Sequence, residues 1–497
     1  MTPFAKEVGG EKVFILKKYQ TQTLLNCRTI ELSLPSPFIM IIDYHLNLSD
    51  LKGKIARLWE ASGKKILRME QEYDLSNGAP VFTIKGKYSS RGWTEWTQGF
   101  QYGSALLQFD ATGDEWFLNY GRAATLAKMA PHVGHFGVHD HGFNNVSTYG
   151  NLLRLMKEGK IPFNDWEKHF YELALKLSGA VQAKRWTTIN DGGFIHSFNG
   201  PHSLFVDTIR SLRSLILSHE LGYALWGEKD HKTSLLKKAV LHAKATAAYS
   251  IFYGDGRDSF DQWGRTAHEC IFNTTDGNYR CPNSQQGYTG FTTWTRGLAW
   301  AMTGFAEQLE YLETAAEEAL HELGGRKEIE AIYSKAAKAS CDFYLANTPT
   351  DGIPFWDTGA PGLYQLGNYL QKKSDPYNDI EPIDSSAAAI GAQGLLRFGQ
   401  YLKRKKADDW KKYWQAGLTV VSNLLDEPYL STDPNHHGLI LHSIYHQPNG
   451  WDYVPEGRKI ACGESSMWGD YHAREVALYL HKIIEDEPYY TFFGGIG

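Results

Sequence analysis

From about residue 51 onward, apolar residues recur at steps of three and four, the spacing that gives a helix one buried face. Twelve such segments are predicted, near 51–73, 95–111, 114–130, 145–158, 164–183, 203–221, 231–252, 292–313, 327–347, 384–403, 408–427 and 468–485. Loops rich in Gly, Pro, Asn and Asp separate them. No short self-similar repeat runs through the segments, which argues against a solenoid. They predict an all-α fold, an (α/α)6 toroid of six helical hairpins forming one closed domain over 51–497. Residues 1–50 hold β-leaning stretches, "EKVFILKKY" and "SPFIMIID", and are expected to form a short N-terminal arm packed on the toroid. The loops at 253–291, 348–383 and 428–467 are too long for ordinary connections and are expected to wall a binding cleft.

Composition says what such a cleft would hold. Aromatic residues make up 13% of the 497, including 15 Trp, and many of them stand beside Gly, Thr, Asn or Asp: Trp93, Trp96, Phe100, Trp186, Phe198, Trp263, Trp294, Trp300, Trp356 and Trp451. Rings among polar residues suit a surface that stacks sugar faces; the alternative for each is a place in the core. The net charge of −5 is spread over mixed signs, without the Lys/Arg block that neutralises phosphates, so nucleic acid is not an expected partner. The five cysteines form no CxxC pair, and their odd number leaves at least one unpaired, so no disulfide framework is expected. No apolar run reaches the ~18 residues of a membrane span, and the N-terminus lacks a signal pattern. A cytoplasmic protein is expected, or a periplasmic one had a signal been removed, acting as monomer or homodimer.

Two places carry candidate chemistry. "PHVGHFGVHDHGF" gathers His132, His135, His139 and His141 around Asp140, but it has no HExxH spacing and no nearby cysteine, so no metal is expected. In "NGPHSLFVDTIRSLRSLILSHELG", Phe205, Ile209, Leu212 and Ile216 form an apolar stripe, and a polar face begins at Asp207. Asp207 is expected in the first turn after a Ser203 cap, where the alternative role of an acid is to answer the helix dipole. Asp140 before one helix and Asp207 inside another would converge at one rim of a toroid. Two carboxyl groups across a sugar-stacking cleft are what glycosidic chemistry requires.

Six motifs in order, "WTQGFQYGSALLQFDATGDEWF", "HDHGF", "FVDTIRSL", "QQGYTGFTTWTRGLAWAMTG", "PIDSSAAAIGAQGLLRF" and "ESSMWGDYHAREVAL", resemble the unsaturated glucuronyl hydrolases of glycoside hydrolase family 88 over roughly residues 50–485. The resemblance implies that Asp140 and Asp207 are the essential carboxylates, with Asp207 the general acid/base, and that His139 touches the substrate or orients Asp140. It implies a stacking wall of Trp96 and Phe100, further substrate contacts at Gln286, Trp294, Arg296 and Trp300, and, more loosely, at His268 and Phe198. It also implies hydration of the C4–C5 double bond that polysaccharide lyases leave on a terminal uronic acid, in an acidic oligosaccharide, without a cofactor. Such an acid/base needs a pKa raised from the ordinary ~3.9 by burial and a neighbouring carboxylate. Arg296 would offer forked donors to a substrate carboxylate or hydroxyl pair.

The sequence departs from the family at Gln98 and Gln285, in "TGFTT", and at His141, changes that bear more on the sugar than on the reaction. The residues alone leave open an inverting exo-glycosidase on saturated uronides, a sugar epimerase and a silent sugar-binding toroid.

Overall fold

A computed structural model describes residues 40–92 and 95–493. Residues 1–39 of the expected arm lie outside the described residues, as does Trp93. The Met40 and Ile41 amides donate to the Leu345 and Thr350 carbonyls (3.2 and 3.0 Å) before the first helix opens at Leu48.

Among the described residues, twelve helical segments account for the twelve predicted. They are α1 (Leu48–Glu72), α2 (Gln98–Thr112), α3 (Glu115–Lys128), α4 (141–157), α5 (Asp165–Lys184), α6 (208–220), α7 (235–250), α8 (Thr295–Thr314), α9 (Arg326–Ala346), α10 (Ser385–Arg404), α11 (Trp410–Leu424) and α12 (Met467–Ile484). Even-numbered helices form an inner ring that closes on itself: α2 packs on α4 and α12, α12 on α10, α10 on α8, α8 on α6, and α6 on α4. Odd-numbered helices pack outside them, which makes the fold the (α/α)6 toroid. The sequence explains the division. The outer helix α1 buries a single stripe, whereas α10, with small residues in "SSAAAIGAQG", is buried on all sides from Ser385 to Gly399.

Two glycines set the close approach of inner helices at the site end. A Cβ on Gly99 would lie 2.4 Å from the Asn144 backbone, and one on Gly142 would lie 2.4 Å from the Ser211 carbonyl. The glycines of "TQGF" and "HDHGF" are therefore packing requirements. Gly142→Ala must push α4 off α6, and a cost of about 1–3 kcal/mol is expected in chemical denaturation. Activity should fall with it, because Asp140 is two residues away; unchanged stability would show that the two helices can part freely.

The helix predicted at 203–221 starts later and faces differently than expected. Ser203–Phe205 is a strand paired with Glu269–Phe272, so Ser203 caps nothing and Asp207 stands just before α6. The polar face of α6 is not solvated either. Arg210 lies between Glu307 and Glu475, the latter at 2.6 Å, and Arg213 reaches Glu475 at 3.4 Å, all of them buried. Arg397 pairs with Glu310 (2.7 Å), and Gln393 donates to Glu475 (3.0 Å). Charges on facing inner helices thus neutralise one another along the axis, where an unpaired ion would cost several kcal/mol. A half-buried reading of the periodicity could not register partners lying far apart in sequence.

No helix among the described residues is long and apolar enough to cross a membrane.

Candidate active site

The N-terminal ends of the inner helices meet at a pocket. Trp96, before α2, stacks on Trp468 at the start of α12 (ring centroids 5.0 Å, 24° between planes). Phe143, in α4, packs on Trp300 of α8 (4.8 Å). Trp294, at the cap of α8, adds a third indole to the wall.

Asp140 and Asp207 converge there as expected, Asp140 just before α4 and Asp207 just before α6 rather than inside it. His139 Nε2 lies 3.5 Å from Oδ1 of each. The His139 carbonyl accepts from Gln182 Nε2 (2.6 Å) and Ser211 Oγ (3.0 Å), and Ser211 Oγ also accepts from the Gly142 amide (2.8 Å). The "HDHG" turn is thereby tied to α5 and α6 at once. The Asp207 side chain makes no capping bond to its helix, so it is not explained as a cap.

The electrostatics of the pair reverse one expectation. Burial raises Asp140 to about 6, with the charge of Asp207 pushing the same way and His139 opposing. Burial also pushes Asp207 up, but contact with His139 and the Thr208 amide more than offset it, and its pKa is lowered. His139 is disfavoured as a cation by burial, yet the two carboxylates hold its pKa above the ordinary value. The raised carboxyl is thus Asp140, not Asp207. His139, placed between the two, is the group whose effect sequence could not weigh.

The other predicted residues divide. Trp96, His139, Phe198, Gln286, Trp294, Arg296 and Trp300 line the pocket, with Phe198 stacked on His139 (5.9 Å, 19°). Phe100 does not: it is fully buried, edge-on behind Trp96 at 6.0 Å, because its place one turn into α2 points it into the ring. His268 is also behind the wall. Its Nδ1 accepts from the Gln285 and Gln286 amides (3.0 and 3.2 Å), its ring touches Phe205 and Trp294, and burial lowers its pKa to about 3. Arg296 lines the pocket, but its guanidinium is engaged by Asp384 (2.9 Å), Gln286 Oε1 (2.8 Å) and the carbonyls of Ile444 and Tyr445. Its forked donors therefore face protein groups rather than an open cleft.

Of the long loops, 253–291 contributes Gln285 and Gln286 and 428–467 contributes Tyr445 and His446, whereas no residue of 348–383 lines the pocket. That loop supports it from behind, where Asp357 accepts from the Tyr288 amide (2.9 Å). Sequence reasoning missed Val138, Phe143, Tyr445 and His446; the dipeptide "YH" ahead of Trp451 in a long loop was the only available signal for the last two. Two of the remaining histidines of the cluster, His132 and His141, are held by local bonds. His132 bonds Gln98 Oε1 (2.8 Å) and Asn144 (3.0 Å), and His141 bonds Ser178 (3.0 Å) and the His135 carbonyl (2.8 Å). Gln98 and His141, two of the departures, thus serve local structure.

A helical toroid whose inner helices aim paired carboxylates into an indole-walled pocket suits glycosidic chemistry. No protein-family model matches the chain. It is 27% identical over 400 residues to the unsaturated glucuronyl hydrolase of Bacillus sp. strain GL1, covering 80% of this chain and 89% of that one. It is 23% identical over 429 residues to the unsaturated chondroitin disaccharide hydrolase of Streptococcus pyogenes serotype M1, covering 84% and 89%. The crystal structure of the Bacillus enzyme superposes with a TM-score of 0.65 at 22% identity, over 88% of this chain and 99% of that chain. Over most of its length the chain is thus similar to unsaturated glucuronyl hydrolases.

Proposed function

We propose that the protein removes the terminal 4,5-unsaturated uronic acid from oligosaccharides made by polysaccharide lyases. The observation that carries this reading is the convergence of Asp140, His139 and Asp207 in a pocket walled by Trp96, Trp294 and Trp300.

In the proposed mechanism the uronate enters as an anion and adds negative charge beside a buried pair, which draws a proton onto that pair. Asp207 donates it to C4, and positive charge develops at C5 and the ring oxygen, where ionised Asp140 stabilises it. Water adds at C5 and returns a proton to Asp207. The C5 hemiketal opens to a ketone, leaving a hydroxyl on C1, and C1 then expels the next sugar as it becomes an aldehyde. Proton and water are both accounted for, and Asp207 ends as it began. Because the two carboxyls are coupled through His139, the proton belongs to the set rather than to one oxygen until substrate arrives.

The test is incubation with unsaturated disaccharides from several acidic polysaccharides. Loss of the enoate's ultraviolet absorbance together with release of the second sugar is the expected result. Release from a saturated chromogenic uronide with the enoate left intact would instead support direct glycosidic cleavage and end this reading.

A further inference from the structure

One wall of the pocket, residues 444–446, has no regular secondary structure, yet Tyr445 and His446 face the site from it. A loop of this kind ordinarily leaves its backbone groups to water. Here charged side chains take them, Asp384 and Arg296 buried and Asp452 half-buried. The Ile444 amide donates to Asp384 Oδ1 (3.3 Å), the Tyr445 amide to Asp452 Oδ1 (2.5 Å) and the His446 amide to Asp452 Oδ2 (2.8 Å). From the other side, Arg296 donates to the Ile444 carbonyl and to the Tyr445 carbonyl (2.7 Å), while Asp384 holds Arg296 in place.

We propose that Asp452 and Arg296 are positioning residues that clamp residues 444–446 from opposite sides and so fix Tyr445 and His446 against the bound uronide. The inference rests on the functional reading above only for what the wall touches; the clamp itself is a matter of backbone geometry. Asp452 does not line the pocket, and each of its oxygens accepts one of the amides it fixes. Arg296 acts through the same segment, which changes its role from the direct anion contact suggested by sequence. A carboxylate suits the first position because two adjacent N–H donors need two acceptors on one rigid group. Burial raises Asp452 to about 6 against the pull of those two amides, and a group kept in so unfavourable a place is consistent with a specific task.

The experiment compares Asp452→Asn, Arg296→Lys and the double variant with the wild type. Asparagine presents one acceptor and one donor, so one of the two amides loses its partner. Amide hydrogen exchange over 443–452, measured by mass spectrometry without substrate, should quicken in Asp452→Asn while exchange in α10 and α12 stays as in the wild type. With an unsaturated disaccharide, KM should rise about tenfold, as for one lost charge-assisted hydrogen bond, with kcat within about threefold. The double variant should raise KM no further than the worse single change, since both release one segment. Unchanged exchange, KM effects that multiply, or exchange quickened throughout the fold would each overturn the clamp. Exchange needs no turnover, so inactivity of the wild type on these sugars would refute the functional reading and leave the clamp to be judged on exchange alone.

Discussion

Asp207→Asn is expected to lower turnover by roughly 10²–10⁴-fold, the usual contribution of a positioned acid–base group. The substitution is nearly isosteric and removes the proton that the mechanism moves to C4. Because the Asp207 side chain caps no helix, folding should be little affected, with stability within ~1–2 kcal/mol of wild type in chemical denaturation. Steady-state rates on an unsaturated disaccharide, paired with unfolding curves, separate the two effects. A variant that keeps near-normal turnover would mean that another group delivers the proton, and the assignment would fail.

Asp140→Asn should reduce turnover on a similar scale, but with a signature in pH. The folded protein holds Asp140 at about 6, above its ordinary 3.8, chiefly through burial, with Asp207 adding to the rise and His139, Arg185 and His135 opposing it. Above pH 6 the carboxylate is ionised in both folded and unfolded chains, and folding bears the cost of burying that charge. Below pH 4 it is protonated in both, and the cost vanishes. The asparagine variant lacks the cost at every pH, so it should be more stable than wild type at pH 8, by an amount on the order of 1–3 kcal/mol. The gain should shrink toward pH 4. Any residual activity should keep its acid limb at lower pH than wild type, because Asp207 no longer faces a second carboxylate. Equal stabilisation at both pH values would contradict the shift, and full activity would remove Asp140 from the mechanism.

The ring itself was legible in the sequence because inner and outer helices differ in how much of their circumference is apolar or small, and that difference is local. Asp140 and Asp207 were legible as well: each precedes an inner helix, and inner helices begin at the same end. What the sequence hid were relations across the ring. The polar face that begins at Asp207 was visible, but the partners of Arg210, Glu307 and Glu475, lie on α8 and α12. Phe100 reads as a wall residue from its motif, yet inside α2 it is fully buried behind Trp96. The pKa order of the two aspartates turns on a single imidazole placed between them. Residues 444–446 have no periodicity at all, so neither their place in the wall nor their dependence on Asp452 leaves a trace in one sequence.

The paired charges along the axis also decide how the protein can meet a long chain. Behind Trp300 lie His472 and then Glu475 with its arginines, so the central hole of the toroid is plugged and the pocket is a dead end. A polysaccharide cannot be threaded through it, and a sugar that enters must back out by the mouth it came in. Each visit can therefore trim one residue from one chain end, the cut product must leave before the next end is admitted, and the length of chain trailing outside has no path by which to hurry the process.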